Sequence, residues 1–411
     1  MATTIPWYKE VNPTQKKALF AAWLGYVFDG FDYMLITYVL LDIQKEFSMT
    51  TTETSTLLLA AFVARPLGGA IFGSFADKYG RRLAMIVSIL VYSVGTFLCG
   101  LSTNYALLFI FRMIVGMGMA GEYACSSSYA IESWPQHLRT KASAFLVSGF
   151  SIGNILASQV IPWVAQEYGW RIAFFIGLLP VGLVLYVRRH APESEEWAVA
   201  KAEGKVRKVP IADLFSKSQW PITLIIFVVC YSIFSVNWPV VGLLPLYLKE
   251  NGYAEHVKSL MFWAGFGILI GTLIAGFIGD KLGEKKTFVY SLLVSLCFLF
   301  PVFYLPENNV LALGALLFLL LATNLGIAGL VPKYMSKFFP TEMRSTGIGF
   351  IYNFAAIGGG VAPVIAAALS ERVGLGSALV YVTLFWTLFL VCLVGFRIPE
   401  RIQARMQQAK K

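Results

Sequence analysis

The chain repeats itself. The run Gly73-Ser-Phe-Ala-Asp77-Lys78-Tyr-Gly80-Arg81-Arg82 returns, weakened, as Gly276-Phe-Ile-Gly-Asp280-Lys281-Leu-Gly283-Glu284-Lys285, 203 residues later. Pro135-Gln-His-Leu-Arg139 returns as Pro340-Thr-Glu-Met-Arg344 at an offset of 205, and Pro192-Glu193 as Pro399-Glu400 at 207. Three matches in one order at nearly one spacing mean two related halves. Two membrane bundles that rock about a shared central site are the physical basis of alternating access.

Hydrophobic residues make up 57% of the chain and charged residues 14%, against roughly 25% charged in a soluble domain. Apolar stretches of about 20 residues recur along the whole length, the signature of helices that cross a bilayer. The runs are too long and too uniformly apolar for barrel strands. The predicted fold is therefore all-α: a polytopic membrane protein of twelve transmembrane helices in two pseudo-symmetric six-helix bundles. The spans fall at 18–41, 57–76, 83–102, 106–133, 140–165, 170–190, 219–248, 259–279, 287–305, 309–336, 345–369 and 375–396. This divides the chain into an N-terminal bundle (1–190), a linker (191–218) and a C-terminal bundle (219–411). The polar start, with Lys9, Lys16 and Lys17, does not read as a cleavable signal peptide.

The net charge of +10 does not mark a nucleic-acid surface. Of the 33 Lys and Arg, Arg65 and Arg112 lie inside spans, and only Lys45, Arg171, Lys249, Lys258 and Arg372 fall on one side. All the rest fall on the other, which the positive-inside rule assigns to the cytoplasm together with both termini. The linker mixes Arg188, Arg189, Lys201, Lys205, Arg207, Lys208 and Lys217 with Glu193, Glu195, Glu196 and Glu203. It reads as a helical, solvated tether. Cys99, Cys125, Cys230, Cys297 and Cys392 all sit in apolar spans without metal-ligand spacing, so they read as buried small hydrophobes. No metal or cofactor site is expected. No loop is large enough for a catalytic domain and none carries a nucleophile motif, so the chain does not read as an enzyme. A sensor using the same fold only for binding is separated from a carrier by flux alone.

Ionisable residues inside spans are costly and are functional candidates. Here they are Asp29, Asp32, Arg65, Arg112 and Glu122. Asp29 lies 11 residues past Ala18, Arg65 11 before Ala76 and Glu122 11 before Ser133. At 1.5 Å per residue each sits about 16 Å into a core about 30 Å thick. Three charges from three helices are thus expected at one level near the midplane. Asp32 is on the face of Asp29, one turn outward. Arg112 lies about 15 Å outward of Glu122. Asp29, Asp32 and Glu122 are the candidate proton carriers, since His137, His190 and His256 all fall in loops or at span ends. Arg65, with its two-pronged donor geometry, is the first candidate for a substrate carboxylate, and Arg112 the second. Moving Arg65 from an acid onto a substrate carboxylate would free that acid to take a proton. A static pair holding spans 1, 2 and 4 together is the competing reading. The second half has no counterpart charges. It offers Asn237, Trp238, Asn324 and Asn353, which with Tyr26, Tyr33, Tyr123 and Gln159 form the candidate lining of a polar cavity. Interhelical hydrogen bonds are the alternative role for each.

The Gly-x-x-x-Asp-Lys-x-Gly-Arg-Arg loop between spans 2 and 3 resembles the loop motif of the major facilitator superfamily. The degenerate copy between spans 8 and 9, the twelve spans and the basic central loop agree with it. The resemblance implies that Gly73, Asp77, Gly80, Arg81, Arg82 and Glu132 act in conformational gating. In that role Asp77 faces the N-terminus of span 11 and Glu132 pairs with Arg81 or Arg82. The alternative is that these residues only hold the loop on its side of the membrane. A narrower resemblance rests on Phe28-Asp29-Gly30-Phe31-Asp32, Ala64-Arg65-Pro66, Gly118-Met-Ala-Gly121-Glu122-Tyr123-Ala124, Glu132-Ser133-Trp134-Pro135, Asn324-Leu-Gly-Ile-Ala-Gly-Leu-Val-Pro332 and Ile351-Tyr352-Asn353. These are similar to the sialate:proton symporter family, in its short twelve-helix bacterial type. The resemblance implies a monomeric carrier in the bacterial inner membrane that imports an acidic sugar, most of all sialic acid, with protons. Its partners would be a small organic anion, protons and the lipid bilayer, with no nucleic acid. The alternatives are symport of another organic acid, monocarboxylate or aromatic, and drug/proton antiport. The Gly149-Phe-Ser-Ile-Gly153-Asn154 stretch of span 5 lacks the proline that would support the last.

Overall fold

In hydrocarbon every backbone N–H and C=O must find its partner within the protein, and an apolar chain meets that demand by staying helical. The computed structural model describes residues 7–49, 51–204, 210–304 and 309–408, and no strand occurs among them. The first five spans are α1 (Pro13–Glu46), α2 (Thr51–Tyr79), α3 (Arg81–Gly100), α4 (Tyr105–Ser133) and α5 (Arg139–Tyr168). The sixth combines α6 (Trp170–Phe175) and α7 (Leu179–His190) through a 3-10 turn. A linker helix, α8 (Glu195–Ala202), follows. Next come α9 (Trp220–Glu250), α10 (Val257–Leu282) and α11 (Glu284–Tyr304). The tenth span is α12 (Val310–Asn324) and α13 (Val331–Ser336), the eleventh α14 (Arg344–Ala355) and α15 (Ile357–Val373). The twelfth is α16 (Leu375–Gly395), and α17 (Ile398–Gln408) ends the described chain. Eleven helices among the described residues are long and apolar enough to cross a membrane. The twelfth expected span is α2, whose 29 residues exceed the roughly 20 a bilayer requires.

Local signals set the helix starts. Asn12 caps α1 in a reciprocal capping box with Gln15, ahead of Pro13. Asn104 caps α4 through the Leu107 amide, and Ser194 caps α8 through that of Trp197. Gly80 (φ 112°, ψ 152°) and Gly283 (φ 83°, ψ 146°) break the chain between spans 2–3 and 8–9. Gly169 (φ 85°, ψ 158°) and Gly374 (φ 79°, ψ 154°) do so between spans 5–6 and 11–12. That backbone region is essentially reserved for glycine. Both pairs recur at the repeat offsets, so the duplication is written in the backbone as well as in the motifs.

Spans 10 and 11 are interrupted, where the sequence pattern suggests unbroken runs. Leu325–Leu330 is a 3-10 segment. It contains Gly326 and Gly329, and Pro332 just beyond it has no amide to donate back into it. In the eleventh span the break at Ala356 precedes Gly358–Gly360 and Pro363.

The chain divides into two compact units. Unit 1 is Met1–Leu214 with Phe339–Asn353, and unit 2 is Phe215–Phe338 with Phe354–Lys411. Unit 1 therefore contains most of the expected linker and takes in a segment from the second half. The helices pair in the same way in each. In unit 1, α1 packs on α5, α2 on α4 and α3 on α4. In unit 2, α9 packs on α15, α10 on α12 and α11 on α12. Gly68 of α2 meets the Met117 backbone of α4, and Gly271 of α10 meets the Ala322 backbone of α12. These are equivalent places in the repeat. Small residues there let two backbones touch, which is where helices in lipid find their attraction. At the far end of α1, Glu46 accepts from Trp170 Nε1 and Arg171 Nη1, each at 2.6 Å. The Arg171 hydrogen bond holds the Glu46 carboxyl below its usual range. This tie therefore contributes at neutral pH and is lost as acid titrates through that lowered value. Cys99, Cys125 and Cys230 are buried as expected, but Cys297 and Cys392 are exposed on the unit surface.

Gly68→Leu is expected to force α2 and α4 apart and cost roughly 1–3 kcal/mol or more, seen as a lower thermal midpoint in detergent. Gly182→Ala, inside α7 where a Cβ meets nothing within 4 Å, should hold or slightly raise the midpoint.

Candidate substrate and proton site

All five intramembrane charges of the sequence belong to unit 1, and all are buried. Asp29 is 0% exposed and neither carboxylate oxygen has a hydrogen-bond partner. Arg65 of α2 is the cation that acts on it. The Arg65 Nε, however, donates to Asn353 Oδ1 at 2.9 Å. Asn353 is held by its own amide, which donates to the Gly349 carbonyl at 2.7 Å and the Ala120 carbonyl at 3.4 Å. Arg65 is therefore positioned by a neutral side chain, not locked to the acid.

Glu122 is approached differently. It accepts from Ser126 one turn further along α4 and from Ser88 of α3 at 3.2 Å. Gly25 of α1 lies directly against its carboxylate, where a Cβ would clash. Asp29 is its charged neighbour. Arg112, expected well outward of Glu122, finds its acid in Asp32. Arg112 acts on Asp32, and it is only 1% exposed, with Nε and Nη1 unpartnered. Each α1 acid thus lies in the field of one guanidinium, Asp29 in that of Arg65 and Asp32 in that of Arg112, with no hydrogen bond to Asp29, and the fifth charge, Glu122, is met by hydroxyls.

Aromatic rings enclose the Arg65 side. Tyr26 lies 5.8 Å from Tyr123 and 5.7 Å from Phe150. Tyr33 lies 5.7 Å from both Phe62 and Phe150. Tyr123 stacks on Tyr352 at 4.0 Å and 15°, and the Arg65 guanidinium sits 5.9 Å from the Phe62 centroid. Phe62 and Phe150 were not singled out in the sequence, because an aromatic in a membrane span carries no sign of which face it occupies. Gln159 is exposed on unit 1. Asn237, Trp238 and Asn324 belong to unit 2. There Trp238 packs on Gly359, and Asn237 Oδ1 and Asn324 Oδ1 have no hydrogen-bond partner. Among the described residues no group of His, Cys, Asp and Glu is placed to hold a metal ion.

The α2–α3 end of unit 1 is a closed ionic network. Asp77 accepts from the amides of Ser345 (3.2 Å) and Thr346 (2.8 Å) and from the Thr346 hydroxyl (2.6 Å). It thereby caps the N-terminus of α14, where the helix dipole favours an anion. Gly73 allows this approach, lying against Ser345 and Thr346 backbone. Arg81 bonds Asp77 at 2.8 Å, both oxygens of Glu132 at 3.0 Å, and the Thr341 carbonyl at 2.7 Å. Of the two pairings open to Glu132 in the sequence, the structure makes the one with Arg81. Arg344 adds a third cation, bonding Glu132 at 3.1 Å and Glu196 at 2.7 Å.

The expected tether is in fact docked here. Glu193 Oε1 accepts from the amides of Arg81 (2.9 Å) and Arg82 (3.3 Å), capping α3 beside Gly80. Ser194 donates to Glu132, Arg139 pairs with Glu196, and Trp197 Nε1 donates to the Asp77 carbonyl at 2.8 Å. Charge composition alone could not separate this helix from a solvated one. Lys205, Arg207 and Lys208 lie outside the described residues.

Unit 2 carries the same pairing with its signs exchanged. Glu284 stands at the repeat position of Arg81, and Lys337 at that of Glu132. Lys337 Nζ lies 2.7 Å from Glu284 Oε2, with Lys333 at 3.9 Å from the other oxygen. The sequence showed Glu284 as a departure from the motif. Its partner was readable from the 205-residue offset.

Two repeated helical bundles that bury charges where lipid would expel them define a membrane carrier, not an enzyme. The chain belongs to the Major Facilitator Superfamily, whose profile matches residues 22–328 and 242–407. It is 53% identical over 403 residues, 98% of each chain, to the sialic acid transporter NanX of Escherichia coli strain K12. It is 28% identical to the probable 4-methylmuconolactone transporter of Cupriavidus pinatubonensis, covering 91% of this chain and 88% of that one. Among solved structures, the proton:xylose symporter XylE superimposes with a TM-score of 0.76 at 19% identity, covering 92% of this chain and 96% of that one. That likeness concerns the fold.

Glu132→Gln should leave Arg81 and Arg344 under-neutralised in a buried site, at a cost of about 3–5 kcal/mol. Glu284→Gln should cost less, because Lys337 is 45% exposed and only the buried Lys333, at 3.9 Å, loses its counter-charge. Thermal unfolding of the two variants in detergent should separate them accordingly.

Proposed function

We propose that the protein is a proton-driven symporter that imports sialic acid across the bacterial inner membrane by alternating access. It acts as a monomer with both termini in the cytoplasm, and its two moving bodies are the repeated six-helix bundles. The observation that carries the site reading is Asp29, a fully buried carboxylate without a hydrogen bond, beside an Arg65 that is anchored elsewhere. The near full-length 53% identity to a sialic acid transporter supports the substrate.

The arrangement suits coupling. A substrate carboxylate entering beside Arg65 takes its remaining donors as a two-pronged pair. Asp29 then loses its counter-charge in a dry site, and an isolated buried carboxylate is too costly to persist. Taking a proton removes that cost. Substrate anion and proton thus enter together, and neither is favoured alone. Tyr26, Tyr123 and Tyr352 offer aromatic faces and hydroxyls suited to the apolar face and polar groups of an acidic sugar. Asp32 with Arg112 repeats the acid–base logic one turn outward. Asp77, Arg81 and Glu132 act in gating, with Gly73 and Gly80 permitting the close fit. A second reading follows from the relatives named for muconolactone and cis,cis-muconate: the same Arg65 would take a smaller organic acid.

Uptake of radiolabelled sialic acid into proteoliposomes should rise with an imposed proton gradient. Uptake indifferent to the gradient defeats the coupling. Competition by cis,cis-muconate but not by unlabelled sialic acid defeats the substrate. Arg65→Lys keeps the charge but loses the planar fork, so KM should rise about tenfold or more. Asp29→Asn should retain exchange while losing concentrative uptake.

A further inference from the structure

The three acids of unit 1 share a neighbour outside the roles above. Ser88, Tyr92 and Thr96 of α3 are each 0% exposed. Spaced four residues apart, they lie on one helix face, with rungs about 6 Å apart over a stripe about 12 Å long. The stripe starts at Glu122, which accepts from Ser88 at 3.2 Å. It ends at Asp32: Gly177 presses on Thr96, and Asp32 Oδ1 lies 3.7 Å from where a Gly177 Cβ would stand. Tyr92 stands between. Its backbone lies against Gly118 of α4, one turn from Glu122. Its hydroxyl has no hydrogen-bond partner, and neither does either oxygen of Asp29. The charged groups acting on Tyr92 are Glu122 of α4 and Asp29 and Asp32 of α1, and Arg65 and Arg112 act in turn on those two aspartates.

A buried phenol without a hydrogen bond, on a helix face whose ends meet Glu122 and Asp32, is an expensive arrangement unless it has work to do. We propose that the Ser88–Tyr92–Thr96 face of α3 relays the coupling proton between Glu122 and the aspartates of α1, with the Tyr92 phenol as the middle rung. At each step the hydroxyl oxygen gains a proton from one neighbour and gives its own to the next. One O–H bond forms as another breaks, and the net result is displacement of one proton with no change of oxidation state. Tyr92 is a positioning and relay residue that need not touch the substrate. The inference rests on the proton-coupled reading above.

The test compares wild type, Tyr92→Phe and Thr96→Val in proteoliposomes. Two rates are read with radiolabelled sialic acid: gradient-driven net uptake, which requires proton turnover, and substrate exchange at equal pH, which does not. Tyr92→Phe keeps the ring and should lower net uptake at least about tenfold while exchange stays near the wild-type rate. Its net-uptake pH profile should also change shape. Thr96→Val keeps the side-chain volume and should show the same split, which carries the test should Tyr92→Phe not fold. Net uptake equal to wild type, or net uptake and exchange falling together, overturns the relay. Wild-type uptake that ignores the gradient overturns the symport reading instead, so the two failures are told apart.

Discussion

The constraint on which unit 1 depends is that charge in hydrocarbon must be answered by other protein groups. Five ionisable side chains sit inside its spans, and each is met in a particular way: Arg65 by Asn353, Asp32 by Arg112, Glu122 by Ser88 and Ser126. Two are left short of hydrogen bonds, Arg112 at Nε and Nη1 and Asp29 at both oxygens, the latter in the field of Arg65. The packing of α1, α2, α4 and α5 follows from the same need. Gly30 and Gly153 bring the α1 and α5 backbones together, and Gly25 leaves room on α1 for the Glu122 carboxylate. A carrier needs a charge whose partner can be exchanged, and the under-bonded Asp29 supplies one.

Much of this was legible in the sequence because it is periodic or local. The repeat, the spans and the helix breaks at Gly80 and Gly283 follow from patterns within single segments. So does the burial of Asp29, Arg65 and Glu122, which depth counting placed at mid-span. What escaped depends on helix rotation. Counting residues gives height along a helix but not which neighbouring helix a face meets, so the Arg112 field on Asp32 and the Ser88 donor to Glu122 were invisible, while Ser126, four residues from Glu122, was within reach. Phe62, Tyr92 and Phe150 escaped for the same reason.

The linker escaped for a different one. Glu193, Glu196 and Trp197 look solvated when only their charge mixture is read. Their partners, Arg81, Arg139, Arg344 and the Asp77 carbonyl, lie far off in sequence. Segments of high sequence separation are brought together only by the finished fold. The interruptions at Leu325–Leu330 and Ala356 were within reach, since each is flanked by glycine and proline. A run of apolar residues masks such weak points, because hydropathy does not register backbone preference.

The inverted pair in unit 2 has an evolutionary consequence. Arg81 with Glu132 and Glu284 with Lys337 occupy equivalent places, yet one could not have become the other by a single change without passing through like charges face to face. What descent preserved after duplication was therefore complementarity, not residue identity. Each of these two pairs closes within its own half of the sequence, so exchanging a half would leave both intact, whereas the bonds of Arg344 to Glu132 and Glu196 would be lost. A gene fusion would therefore inherit these two pairs from the first generation and would have to rebuild the contacts of Arg344.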